Sequence, residues 1–192
     1  LLINSLIIAI SIFIVAGLSK LNQNTKPDQE TVQQDLITAP LFSAIDSNGV
    51  THSLEQYKGK IVVLEWKNHL CPFVKKYYKN GHMQALQKDL TQQNIVWLSV
   101  ISSAQGKQGY VTPEQCNIII NEENSFATAV LLDSKGEIGR LYGAKTTPHM
   151  FVINEEGKLI YNGSIDSIAS ADSNDIDVAV NYVVQTLSLI HI

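Results

Sequence analysis

Ile61-Val62-Val63-Leu64-Glu65-Trp66-Lys67-Asn68-His69-Leu70-Cys71-Pro72-Phe73-Val74 joins an apolar run to a helical one through a single cysteine. Its opening run, Ile61 to Trp66, is apolar apart from Glu65, as expected of a central parallel strand covered on both faces. From Phe73 to Gln93 the pattern turns helical, with Phe73/Tyr77, Val74/Tyr78 and Leu86/Leu90 at i,i+4 and Gly81 as a break. Cys71 stands at the junction. A helix start leaves backbone N–H groups unpaired and carries the positive end of the macrodipole, which favours thiolate over thiol. Such a cysteine is expected to titrate below the free-thiol value of about 8.5 and to react as the thiolate. Pro72 suits the first helical position, and Lys75, one turn on, adds a thiolate-stabilising cation on the same face.

The 192 residues are 45% hydrophobic and 17% charged, enough for one core with appendages. A net charge of −4 provides no basic footprint, so nucleic acid is excluded as a partner. The two cysteines, Cys71 and Cys116, are too few for a disulfide scaffold and lack the paired spacing of a zinc site.

Residues 1–19 are almost uncharged and apolar to Leu18, with the first lysine at Lys20. They read as a signal peptide or a membrane anchor whose start is missing, and place the remainder outside the cytoplasm: periplasmic, secreted, or anchored through this segment alone. A buried globular helix is the alternative. Residues 20–38 read as a polar linker. The six residues 187–192 match the translation of an adapter used in DNA library preparation and are expected to be an artefact; the alternative is an apolar helix end.

Between these ends, residues 39–186 are expected to form one α/β domain with a mixed sheet. Leu41–Ile45 and Val50–His52 flank Asp46-Ser47-Asn48-Gly49, a hairpin signal. Strands follow at Ile95–Ile101 and Thr128–Leu132, with helices from Pro113 and over Gly136–Tyr142. Met150–Ile153 and Lys158–Gly163 form a second hairpin around Glu155-Glu156-Gly157. A closing helix is expected over Asp175–Leu187, with Ile176, Ala179, Val180, Val183 and Val184 on one face. Trp66, Trp97, Phe151 and Tyr161 are expected in the core, and Phe73, Tyr77 and Tyr78 pack on the helix or line a groove.

This order, together with Asn68-His69-Leu70-Cys71-Pro72-Phe73-Val74-Lys75-Lys76-Tyr77 and Gly143-Ala144-Lys145-Thr146-Thr147-Pro148-His149, resembles the thioredoxin fold, and more closely the redoxins of the alkyl hydroperoxide reductase and thiol-specific antioxidant type. The resemblance implies that Cys71 is the attacking cysteine. It implies that Pro148 is a cis-proline facing Cys71, with Thr147, His149, His69, Pro72 and Phe73 along a substrate groove. It also implies that Glu65 is the buried carboxylate that moves the thiol's proton. Glu65 otherwise reads as a sheet-rim carboxylate paired with Lys60 or another lysine.

The chain departs from both parent patterns. Val74 stands at the second cysteine of C-x-x-C, so a dithiol mechanism within the motif is impossible. The peroxidase motif P-x-x-x-T-x-x-C would place Pro at position 64 and Thr at 68, where this chain has Leu64 and Asn68, and Arg140 reads as structural. Fast peroxide reduction therefore lacks its electrostatic support. Cys116 reads either as a resolving thiol or as a small buried hydrophobe among Ile118, Ile119 and Ile120.

The expected chemistry is an oxidoreductase using one thiol on a disulfide, or slowly on a peroxide, with a small thiol or a thiol- or disulfide-bearing protein as partner and reductant. No cofactor and no metal is expected. Two rivals remain. Cys71 with His69 and His149 makes a soft set suited to copper, or the domain is a catalytically silent interaction module.

Overall fold

The strand β3 (Val62–Trp66) is buried along its whole length and carries the site on its C-terminal end. In the computed structural model, which describes residues 36–190, β3 is the middle of a five-stranded sheet of order β5-β4-β3-β6-β7. On one side lie β4 (Val96–Ile101), parallel to β3, and then β5 (Ala129–Leu132), parallel to β4; on the other lie β6 (His149–Ile153), antiparallel to β3, and then β7 (Leu159–Gly163), antiparallel to β6. Strand alternation divides the core in two. Val62, Leu64, Trp66, Leu98, Leu131 and Phe151 face one side, covered by the short helix α4 (Glu137–Tyr142) and by Phe42 and Leu54. Ile61, Val63, Trp97, Met150 and Val152 face the other, beneath α1 (Pro72–Tyr78), α2 (His82–Gln92) and α5 (Tyr182–Ile190). Helix α3 (Pro113–Glu122) completes that side at the β4–β5 edge.

The N-terminal hairpin pairs β1 (Ser43–Ile45) with β2 (Thr51–Ser53). It is tied to the sheet edge by the Ser47 amide on the Val130 carbonyl and by Asn117 Nδ2 on the Ser47 carbonyl. Gly81 ends α1 and starts α2 because it alone supplies φ +78° at the break, the left-handed region where a side chain is strained. The helices on either side thus pack separately on the same apolar layer.

The closing helix differs from the sequence expectation. It begins at Tyr182, not Asp175, and of the expected apolar face Val183 is buried while Val180 and Val184 stay exposed. Asn181 is the reason. Its side-chain oxygen accepts the Val183 and Val184 amides, the capping geometry of a helix start. The preceding residues are drawn into pairing with the 164–168 segment, through the Ser167 amide on the Val180 carbonyl and the bridge of Asp166 with Asn181.

Residues 1–19, and the linker as far as residue 35, lie outside the described residues, as do 191 and 192; residues 187–190 are the last turn of α5. Among the described residues no helix is long and apolar enough to cross a membrane.

Candidate functional site

Three elements converge on Cys71. It is the N-cap of α1, with Pro72 at N1, and its carbonyl accepts the Val74 and Lys75 amides, so its side chain is free of capping duty. The Asn68 carbonyl takes the Cys71 amide and the Asn68 side-chain oxygen takes the Leu70 amide, which shapes the turn leading into the helix. From the far side the Thr147–Pro148 peptide, which is cis, brings the Thr147 carbonyl to the sulfur: the Cys71 thiol donates to it at 3.1 Å. Attack by the sulfur therefore requires that proton to leave. Cys71 is half-buried.

On the Pro148 side a groove of about 380 Å³ is lined by Phe73, Tyr77, Thr147, Pro148, Ile165 and Ile168, among others. Phe73 is 43% exposed at its edge, while Tyr77 is buried. The groove wall is held by ions the sequence reading missed. Lys76 is buried with its Nζ 3.0 Å from Asp166, and the Tyr77 hydroxyl donates to the same carboxylate, which pins the 164–168 segment to α1. Burial, the hydrogen bond to Asp166 and its charge all push the Tyr77 hydroxyl far up from its ordinary value.

Beneath the turn, Glu65 is fully buried. It accepts from the Tyr78 hydroxyl at 2.9 Å, Trp97 Nε1 at 2.9 Å, Ser99 Oγ at 2.8 Å and Gln87 Nε2 at 3.3 Å. The rim position paired with Lys60 or another lysine is thereby corrected, since residue 65 faces inward from the central strand and no lysine bonds it among the described residues. No bond joins Glu65 to Cys71. Lys67, two residues on and on the same strand face, is also buried; its Nζ sits 3.9 Å above the Tyr78 ring and bonds Glu123 at 2.5 Å. Burial pushes the Glu123 carboxyl up from its ordinary value, against the pull of Lys67. A charged pair at i,i+2 on a strand otherwise apolar was the available sequence signal for this layer, because alternation puts both side chains on one face.

The histidines part company. His69 lies half-buried beside the turn, and burial first, then Lys67 and Lys75, hold its pKa below the ordinary value, so it is neutral at neutral pH. His149 pairs in register with Trp66 on β3, and its ring lies 4.5 Å from that of Phe151, on the sheet face opposite Glu65 and Met150. Strand alternation turns it away from the groove. The copper set of Cys71, His69 and His149 is therefore not assembled, and among the described residues no group of three His, Cys, Asp or Glu is placed to hold a metal.

Cys116 is 1% exposed in a separate apolar cluster with Ile101, Val111 and Val130, and burial raises its pKa. That cluster overlies β4 and β5, whereas Cys71 sits at the ends of β3 and β6. The offset of two strand spacings is on the order of 10 Å, beyond the roughly 7 Å that a disulfide spans. Arg140 is exposed and bonds the Lys135 carbonyl on its own helix end.

The loop after β4 buttresses the Cys71 turn. Gly109, at φ +82°, lies so close to Asn68 that an added Cβ would stand 2.5 Å from its side-chain oxygen; at Gly106, φ +78°, the space is open. Gly109→Ala is expected to cost about 2 kcal/mol against about 1 for Gly106→Ala, because backbone strain is common to both and the clash is not. Thermal melts check the first difference. Iodoacetamide kinetics check the second: only Gly109→Ala should change the Cys71 rate, by moving Asn68 off the Leu70 amide.

A model of the AhpC/TSA family matches residues 37–162. Among solved structures the chain is similar to an uncharacterized conserved protein from Geobacillus kaustophilus, at 22% identity and TM-score 0.63, covering 69% of this chain and 70% of that one. It is also similar to the exposed lipoprotein thioredoxin of Streptococcus pneumoniae, at 23% identity, TM-score 0.56, 78% of this chain and 98% of that one. A third is the thioredoxin domain of a thiol-disulfide oxidoreductase from Bacteroides vulgatus, at 19% identity, TM-score 0.53, 74% and 94%. No curated protein matches the sequence. The structural likenesses establish the thioredoxin-like fold. With the family match running from the N-terminal hairpin through β7, across the Cys71 turn and Pro148, the chain belongs to the AhpC/TSA family and is an oxidoreductase.

Proposed function

We propose that this protein is an extracytoplasmic thiol oxidoreductase that works through one nucleophilic sulfur, Cys71. The observation that carries the reading is the thiol on the Thr147 carbonyl beside Pro148, at the mouth of an apolar groove, with Val74 where a second active-site cysteine would stand. In the proposed reaction the Cys71 thiolate attacks one sulfur of a disulfide; that S–S bond breaks, one thiolate leaves, and a mixed disulfide remains. A second thiol then attacks the mixed disulfide and Cys71 departs as thiolate. Pro72, Phe73, Thr147 and Pro148 shape the approach, and Lys75, one turn into α1, supplies positive charge. The apolar N-terminal segment supports the extracytoplasmic location; the pneumococcal neighbour is itself named an exposed lipoprotein. Protease accessibility in intact cells tests the location. Mass spectrometry of partners trapped on Cys71, absent from the Cys71→Ser protein, tests the chemistry.

Peroxide should be consumed no faster than by an ordinary thiolate. Asn68 stands at the position of the motif's threonine and has no hydroxyl, its side-chain oxygen accepting the Leu70 amide, and Arg140 is exposed on α4 with its guanidinium on the Lys135 carbonyl, so the motif's hydroxyl is missing from the Cys71 turn. One equivalent of hydrogen peroxide should give a Cys71 sulfenic acid by intact mass and no internal disulfide. A rapid Cys71–Cys116 bridge, lost in Cys116→Ser, would make the protein a two-cysteine peroxidase instead.

A further inference from the structure

On the His69 side of Cys71 lies a second cleft, of about 630 Å³, between the α1 face and α3. It falls within the 300–1,000 Å³ typical of small-ligand sites, and no role so far assigned uses it. Its axis is set by helix geometry. Lys75, Tyr78 and Lys79, which line the cleft, stand at i, i+3 and i+4 and share one face of α1, and Leu70, the residue before Cys71, lines its near end. Helical side chains lean toward the N-terminus, which inclines both ammonium groups toward the Cys71 end.

Two independent features indicate a polar occupant. His69 Nδ1 and Gln84 Oε1, both on cleft-lining residues, are buried without a hydrogen-bond partner. The Gln84 orientation is fixed, since its Nε2 donates to the Tyr78 and Glu123 carbonyls, which leaves the oxygen as an acceptor. Buried polar atoms are so regularly paired that two exceptions in one cleft call for a partner there. The charges have the same incompleteness. Glu123 is neutralised by Lys67, but Lys75 and Lys79 on one wall and Glu122 on the other have no ion-pair partner among the described residues.

Resting on the reading of Cys71 as nucleophile, we propose that this cleft binds the small thiol that regenerates it, a cysteinyl peptide with two carboxylates and one ammonium, the chemistry of glutathione. Lys75 and Lys79 take the carboxylates, and Glu122 with Gln84 Oε1 takes the ammonium. The thiol lies at the Leu70–Cys71 turn. From there its thiolate attacks the partner sulfur of the Cys71 mixed disulfide. The new disulfide leaves with the substrate half, the Cys71–sulfur bond breaks, and Cys71 keeps the electron pair and returns as thiolate.

The test loads Cys71 as its thionitrobenzoate adduct, exchanges that with ethanethiol for the ethyl mixed disulfide, each confirmed by mass, and follows return of the free Cys71 thiol by quenched intact mass with reduced glutathione and with 2-mercaptoethanol. The ratio of the two rate constants is compared with that for the same disulfide of N-acetylcysteine. Two or three exposed ion pairs should raise the protein's ratio about tenfold over the free disulfide. Lys79→Glu should lower it about fivefold, Glu122→Gln should lower it less, and molar salt should abolish the advantage. Both variants lie on the surface, and circular dichroism verifies that they fold. A ratio equal to that of the free disulfide, indifferent to salt and to both substitutions, overturns the cleft assignment and leaves the nucleophile standing. Failure of the native protein to take up thionitrobenzoate at Cys71 is a different result, seen before any reductant is added, and removes the underlying reading with it.

Discussion

Cys71→Ser is expected to abolish thiol–disulfide exchange, with a loss of at least about 10³-fold against a dithiol-bridged peptide, because a hydroxyl is essentially un-ionised at neutral pH and no second cysteine is in reach. Cys116, the one other thiol, is buried among Ile101, Val111 and Val130, where a probe cannot approach it without local opening. The fold should be unharmed. The Cys71 side chain caps nothing and its single hydrogen bond, to the Thr147 carbonyl, can be kept by serine. Melting temperatures of the two proteins should therefore agree within a few degrees while the exchange rates do not. Residual exchange at more than a few per cent of wild type, with Cys71→Ser folded, would transfer the chemistry to Cys116 or dismiss it.

Glu65→Ala should be the most damaging single change to stability. Four donors, from Tyr78, Gln87, Trp97 and Ser99, converge on this carboxylate in the sheet interior. A buried donor left without an acceptor costs about 1–3 kcal/mol, and the missing atoms leave a cavity as well. The sum reaches several kcal/mol, comparable with the 5–15 kcal/mol by which a domain of this size is stable, so the variant should be largely unfolded at physiological temperature. Glu65→Gln keeps one acceptor oxygen and should fold with a lowered melting temperature. It also separates two roles. An anchoring carboxylate leaves the pH profile of exchange unchanged in the folded variant, whereas a proton relay for Cys71 lowers the rate and displaces the profile. The four occupied bonds, none of them to sulfur, favour anchoring. A hundredfold slower rate with little change in melting temperature would restore the relay.

Much of the architecture was legible along the chain, where periodicity is a local property. The apolar run before Cys71 is β3, the break at Gly81 separates α1 from α2, and the turn at Glu155-Glu156-Gly157 joins β6 to β7. The closing helix was misread because Ile176, Ala179 and Val180 fit its period as well as Val183 and Leu187 do. Pairing of the Val180 carbonyl with Ser167, and the Asn181 cap, outweighed that pattern. His149 shows the same limit at the site. Sequence adjacency to Pro148 suggested the groove, but the register of Trp66 with His149 decided which face the ring takes.

The strand–turn–helix that exposes one sulfur, the absence of a second cysteine at Val74, and the departure from the peroxide motif at Leu64 and Asn68 can all be read along the chain, since they depend on residue identity and on neighbours a turn away. What surrounds the sulfur is set by long-range packing. The carbonyl that meets the thiol comes from residue 147, the carboxylate that pins the groove wall from residue 166, and the one that neutralises Lys67 from residue 123. Buried charges must find partners wherever packing brings them, and with sequence separations of 56 to 90 residues no local pattern announces the pairing.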